Sequence, residues 1–260
     1  MIAEWITPNW PAPSRVRAVC TTRAGGGSKH PFDSLNLGDH VGDDAVSVAQ
    51  NRATLQRHID AHPVFLKQVH GAHVAGLPLA PGQSTEADGC FTQSSGIACT
   101  IMVADCLPVL LTNTQGSFVA AAHAGWRGLA GVGGVGIVET VCQAIESCTP
   151  APERSEILAW LGPCIGASKF EVGDEVREAF VSHDTAAIPL FEPLGHAKWL
   201  ADLQGLSRLR LRNLGVTQIF GNDGTIAWCT GSQPSRFFSH RRDHLALGGS
   251  GRMGACIWLD

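Results

Sequence analysis

Nine short runs of β-branched and apolar residues, each bounded by Gly, Pro, Asn or Asp, most restrict how this 260-residue chain can fold. They span residues 15–22, 64–69, 97–103, 107–112, 117–122, 156–161, 216–220, 236–240 and 255–258. Several neighbours are joined by hairpin-length connections, which argues for antiparallel or mixed sheets.

Helical periodicity is rarer. Val138, Val141, Cys142 and Ile145 share one helical face and predict a helix over about 129–147. Acidic residues open a second helix at 174–182, suiting its N-terminal dipole. A third is expected over 198–213, stopping at Gly215, and a polar fourth over 44–58. Strands outnumber helices, so the expected class is α+β, a layered sandwich with helices outside mixed sheets. No repeat, charge block or low-complexity linker divides the chain. A single domain over 1–260 is expected, with the ProAlaProGlu stretch at 150–153 read as a loop.

The formal net charge of −4 and the scattered Lys and Arg give no nucleic-acid-binding footprint. No run of eighteen apolar residues spans a membrane. Nine cysteines form no paired framework, and the first twenty residues lack the basic start and apolar run of a secretion signal. A cytoplasmic setting with free thiols is expected, most of them serving as small buried hydrophobes.

Chemistry concentrates at strand ends, where rigid scaffolds present reactive side chains. His70 closes an apolar run before a Gly turn, Cys106 follows a run and precedes Pro108, and His123 stands where a strand hands over to a helix. Two imidazoles and a thiol suit zinc, with the fourth tetrahedral position left to water or substrate. Each histidine also reads as a structural residue on its own. A metal-free Cys-His hydrolase pair, with Cys106 as nucleophile, uses the same residues. Asp88 and Asp105 are candidates to hold a ligand's second nitrogen, or are ordinary turn residues.

The loop at 21–28 carries Arg23, three glycines and Ser28, a backbone that can cradle phosphate. The glycines at 25–27 and 131–136 match neither the dinucleotide fingerprint nor the phosphate loop. HisArgArgAspHis at 240–244 reads as non-helical, with Arg241 and Arg242 suited to an anion, and Cys164 as a buried thiol in a Gly-Pro turn. Trp126 and Arg127 either shape a pocket or anchor a helix start. Eleven histidines never occur two apart, which weighs against a multinuclear copper centre.

LysGlnValHisGly, AlaAspGly, AlaAspCysLeuProValLeuLeu, AlaAlaHisAlaGlyTrpArgGly, LeuGlyProCysIleGly and the closing PhePheSerHisArgArgAsp…GlyArgMet together resemble the laccase-domain family, also called the polyphenol oxidase or purine nucleoside phosphorylase family. The resemblance runs from about residue 18 to 258. It implies a four-layer α/β/β/α sandwich similar to the catalytic domain of cytotoxic necrotizing factor, and one zinc per chain on His70, Cys106 and His123. It implies phosphorolysis of adenosine, inosine, guanosine or methylthioadenosine with phosphate as co-substrate, and deamination of adenosine. The substrates would be a purine nucleoside and phosphate, bound by a monomer or weak homodimer. Ser28 and Arg52 fall on positions tied to anion binding in the family. Relatives linked to peptidoglycan editing supply the alternative, an amidase acting on a misbuilt muramyl nucleotide; a copper polyphenol oxidase is the third reading. This chain departs from the family at His240, where a Tyr is usual, and in the insertion-like 244–250.

Overall fold

The computed structural model describes residues 5–80, 82–148 and 156–260. Two mixed sheets lie face to face. The first has the order β1 (Val16–Cys20), β13 (Met253–Leu259), β5 (Ile97–Val103) and β2 (His62–Phe65); β2 runs parallel to β5 and the other pairs are antiparallel. The second has the order β12 (Gln218–Gly221), β8 (Ile157–Leu161), β6 (Leu107–Asn113), β7 (Val119–Ala124), β4 (Gly89–Thr92) and β3 (Val74–Gly76). A three-stranded sheet of β10 (Phe191–Gly195), β11 (Lys198–Ala201) and β9 (Glu171–Gly173) completes the β structure among the described residues.

Side-chain alternation along each strand separates three apolar layers. Ile101 and Val103 of β5, Ala255 and Ile257 of β13, and Leu110, Val119 and Trp160 of the second sheet fill the space between the sheets. Met102, Cys256 and Trp258 point the other way, against Leu55 and Ile59 of α1 (Ala45–Ile59). Val109, Leu111, Ala120 and Ala122 face outward from the second sheet. They pack on α3 (Ile137–Cys148), α4 (Asp174–Val181) and α5 (Leu203–Asn213). The order is therefore helix, sheet, sheet, helix, the expected four layers. These strands are buried on both faces, and each fully buried Leu or Ile contributes about 1.5–3 kcal/mol of transfer free energy. No helix among the described residues is long and apolar enough to cross a membrane.

Several expectations are corrected. The expected helix over 129–147 is two helices, α2 (Trp126–Ala130) and α3. Gly131, Gly133 and Gly134 between them have positive φ, which a continuous helix does not allow. Residues 198–201 form β11 rather than the start of α5, which begins after Asp202 accepts a bond from the Gly205 N–H. The run at 236–240 is no strand. Ser239 caps α6 (His240–Leu247), and Gly248 ends it at φ 78°. HisArgArgAspHis is therefore helical, with the His240 and His244 rings 4.6 Å apart across one turn. The run at 64–69 stops pairing with β5 after Phe65, bridges to Glu86 through Lys67 and leads into the site described next. The loop expected at 150–153 lies outside the described residues.

Candidate metal centre

The site forms at one end of the inter-sheet layer. In β7 the even-numbered alanines face the helices, so His123 turns towards the other sheet. The antiparallel register pairs Leu107 with Ala124, which sets Cys106 opposite Gly125. A Cβ at Gly125 would lie 2.9 Å from the Cys106 Sγ and 3.0 Å from the His70 Cδ2, so the absent side chain makes room for both. At Gly128 in α2 a Cβ would lie 2.7 Å from the Gly71 carbonyl oxygen; glycine there lets the helix press onto the His70 turn.

That turn is built around Asp88. His70 has a left-handed backbone, φ 62°, which directs the N–H groups of Val69, His70 and Gly71 onto the Asp88 carboxylate at 3.1, 2.9 and 2.7 Å. The same carboxylate lies 2.8 Å from Nδ1 of His123, and the Asp88 carbonyl accepts the His123 N–H at 2.7 Å. Asp88 is fully buried and His123 is 3 % exposed. Burial pushes the Asp88 carboxyl up, but the bonds from His123 and the turn outweigh it and hold the group below its usual range.

His70, Cys106 and His123 thus converge, with ligand atoms all within 4.8 Å of one another. The two imidazole centroids are 4.8 Å apart. His123 is buried, Cys106 half-buried and His70 exposed, so the group opens to solvent on the His70 side. Burial raises the Cys106 thiol, yet the neighbouring His123 and His70 bring it down to about 6. Burial lowers His123, while Cys106 and Asp88 raise it to about 9. The pair favours a thiolate beside an imidazolium. Burial pushes Cys142 and Cys256 the opposite way, to about 12, as expected of thiols that only fill space. Seven of the nine cysteines are buried, Cys164 among them.

The donor chemistry fits a metal: one thiol that readily gives up its proton, and two imidazoles, one held from behind by a carboxylate. With Nδ1 of His123 bonded to Asp88, its Nε2 is the nitrogen left to face the Cys106 thiol and a metal.

Asp105 has a different position from Asp88. Its carboxylate accepts the Thr230 hydroxyl at 2.5 Å and the Arg241 N–H at 2.6 Å, and its carbonyl accepts the Ile165 N–H. It ties α6 and the Cys164 turn to the strand end that carries Cys106. Ser28 is buried, and its hydroxyl accepts from the Asn51 side chain at 2.9 Å. Arg52 donates to the Leu37 carbonyl, pairs with Asp39 at 3.2 Å and covers the Phe65 ring. Arg23 is tied to Asp33 and to the Pro234 carbonyl. Trp126 packs on the helix-side core with Arg127 over its ring, a helix-start anchor.

Sequence reading missed Gly125 as a positional requirement and missed Arg252. Arg252 immediately precedes Met253, which pairs with Val103, so it stands opposite Ala104 and two residues from Cys106 in register. Only strand pairing brings it there.

Residues 17–260 match the family model described as multi-copper polyphenol oxidoreductase laccase. A Pseudomonas aeruginosa protein named purine nucleoside phosphorylase is 44% identical over 256 residues, covering 98% of each chain. One from Escherichia coli with the same name is 48% identical, covering 99% of this chain and 100% of that one. A crystal structure of a Neisseria meningitidis protein superposes with a TM-score of 0.87 at 41% identity, covering 98% of this chain and 99% of that one. With nearly the whole chain matched by model, relatives and solved structure alike, this protein belongs to the family described as multi-copper polyphenol oxidoreductase laccase, among relatives named purine nucleoside phosphorylase.

Proposed function

We propose that this chain is a zinc-dependent purine nucleoside phosphorylase, cleaving adenosine, inosine, guanosine and methylthioadenosine with phosphate and also deaminating adenosine. The observation that carries the reading is the convergence of His70, Cys106 and His123 within 4.8 Å, solvent-open on one side, in a chain whose relatives bear that name. Two imidazoles and a thiolate with an open fourth position suit one zinc. Among the described residues there is one such donor group, too few for a multinuclear copper centre.

A metal bound there would act as a Lewis acid and bring the pKa of a bound water to about 7. Asp88 holds the His123 ring and the backbone at His70, so the donors are positioned before substrate arrives. The phosphate co-substrate is received on the side of Arg52 and Ser28. The glycosidic bond breaks as positive charge develops on the ribose, the purine leaves with the bonding electron pair and takes up a proton, and the phosphate oxyanion bonds to C1′.

The thiolate–imidazolium pair favours a second reading, a metal-free Cys-His hydrolase. Metal analysis with chelation separates the two. The zinc enzyme loses turnover to chelator and regains it with one equivalent of zinc; a cysteine hydrolase survives chelator and dies on thiol alkylation.

A further inference from the structure

Arg252 is a half-buried arginine without a carboxylate partner among the described residues. The backbone N–H of Arg252 is pinned to the Asn36 side chain at 2.8 Å, and Nη1 donates to the Ser250 and Gly251 carbonyls at 2.8 and 3.1 Å. Its Nε and Nη2 reach no protein acceptor, and it makes no ion pair among the described residues. The stem runs over Gly38, where a Cβ would lie 2.8 Å from the Arg252 Cγ. Glycine at 38 therefore clears the path of this side chain.

Charges of both signs lie nearby. Arg252 lies within electrostatic reach of Cys106 and Asp105 on the metal side. On the rim, after burial, the same guanidinium depresses His40, together with Arg52. On α6 it likewise depresses His240, with His244 adding to the effect. On the rim the Asp39 carboxylate is taken by Arg52, and Asp43 accepts from the Asn36 amide. A guanidinium whose stem is fixed and whose two-donor edge is left free matches an oxyanion.

We propose that Arg252 is the principal anion-binding residue of the pocket, its Nε and Nη2 edge receiving the phosphate oxyanion beside the metal group. This rests on the phosphorylase reading above and names the residue that reading lacked. Arg52 then stands behind it, paired with Asp39, while the Asp105 carboxylate is held by the Thr230 hydroxyl and the Arg241 N–H.

The test is phosphate binding by calorimetry on the zinc-loaded protein, alongside steady-state phosphorolysis, for wild type, Arg252→Met and Arg252→Lys. Loss of a charged hydrogen-bonding pair should weaken phosphate binding and raise the phosphate KM about tenfold or more in Arg252→Met. The nucleoside KM and the zinc content should change little. Arg252→Lys should recover part of the affinity, because charge survives without the fork. Gly38→Ala, which displaces the stem and leaves the charge, should raise the phosphate KM as well, and it serves if Arg252→Met does not fold. Titration with adenosine 5′-monophosphate forms the second arm. If that ester binds and inorganic phosphate does not, the anion is the substrate's own and the phosphorylase reading falls, while Arg252 stands if the variant loses the ester. A folded Arg252→Met that phosphorolyses with unchanged phosphate KM overturns the Arg252 assignment alone. A wild type that binds neither anion overturns both.

Discussion

One oxygen of Asp88, Oδ1, lies 2.8 Å from Nδ1 of His123 and 2.9 Å from the backbone nitrogen of His70, so a single buried carboxylate positions two of the three donors. Asp88→Asn keeps the shape but sets an amide against N–H groups. It should lower zinc affinity about 10–100-fold. Competition with a chromogenic chelator reads this directly, and an unchanged affinity would show that the carboxylate only braces the turn.

Cys106→Ala removes the one donor whose thiol is held low, at about 6. The variant should fold, carry substoichiometric zinc after dialysis and show no turnover. Metal analysis and circular dichroism check the two halves separately. Full metal content with full turnover would mean the centre is elsewhere.

Gly125 has an ordinary helix-cap backbone, φ −70°, so alanine there meets no backbone strain. Its methyl would instead press on the Cys106 Sγ and His70 Cδ2 at 2.9 and 3.0 Å. Gly125→Ala should therefore cost metal affinity and activity out of proportion to its loss of stability, which overpacking places at about 1–3 kcal/mol. Equal zinc binding in the variant would contradict the geometry.

Stripped of metal, the Cys106–His123 pair sets a pH window. Cys106 is lowered from 9.0 to about 6, so its contribution to stability is present above the unfolded value and lost as pH falls through about 6. His123 is raised from 6.5 to about 9, so its contribution is present below the unfolded value and lost as pH rises through about 9. Both record the same interaction. The stripped wild type should exceed Cys106→Ser in Tm most between about pH 6 and 9, with the advantage shrinking on either side. A pH-independent difference would argue that no ion pair forms.

The layers and the donor trio were legible in the sequence for the same reason: strands buried on both faces read as apolar runs, and the runs end at His70, Cys106 and His123. The companion AlaAspGly motif named Asp88. Elsewhere local signals misled. LysTrpLeuAla at 198–201 continues the periodicity of α5, and only pairing with β9 and β10 makes it a strand. The helix at 240–247 is short and flanked by glycines, and its start depends on the Ser239 hydroxyl accepting the Arg242 N–H. Arg252 and Gly125 are invisible to periodicity because their neighbours come from strand register, a non-local property. The glycines of 131–136 looked like helix and act as a link. Arg210 of α5 fixes that link by donating to the Gly134 carbonyl at 2.5 Å and pairing with Glu139 at 2.8 Å.

Product analysis of zinc-quantified protein incubated with adenosine, with and without phosphate, decides whether this chain is a phosphorylase. Adenine and ribose 1-phosphate should appear only when phosphate is present, at one zinc per chain, with inosine formed alongside from deamination. No turnover of any purine nucleoside by fully zinc-loaded protein would contradict the phosphorylase reading.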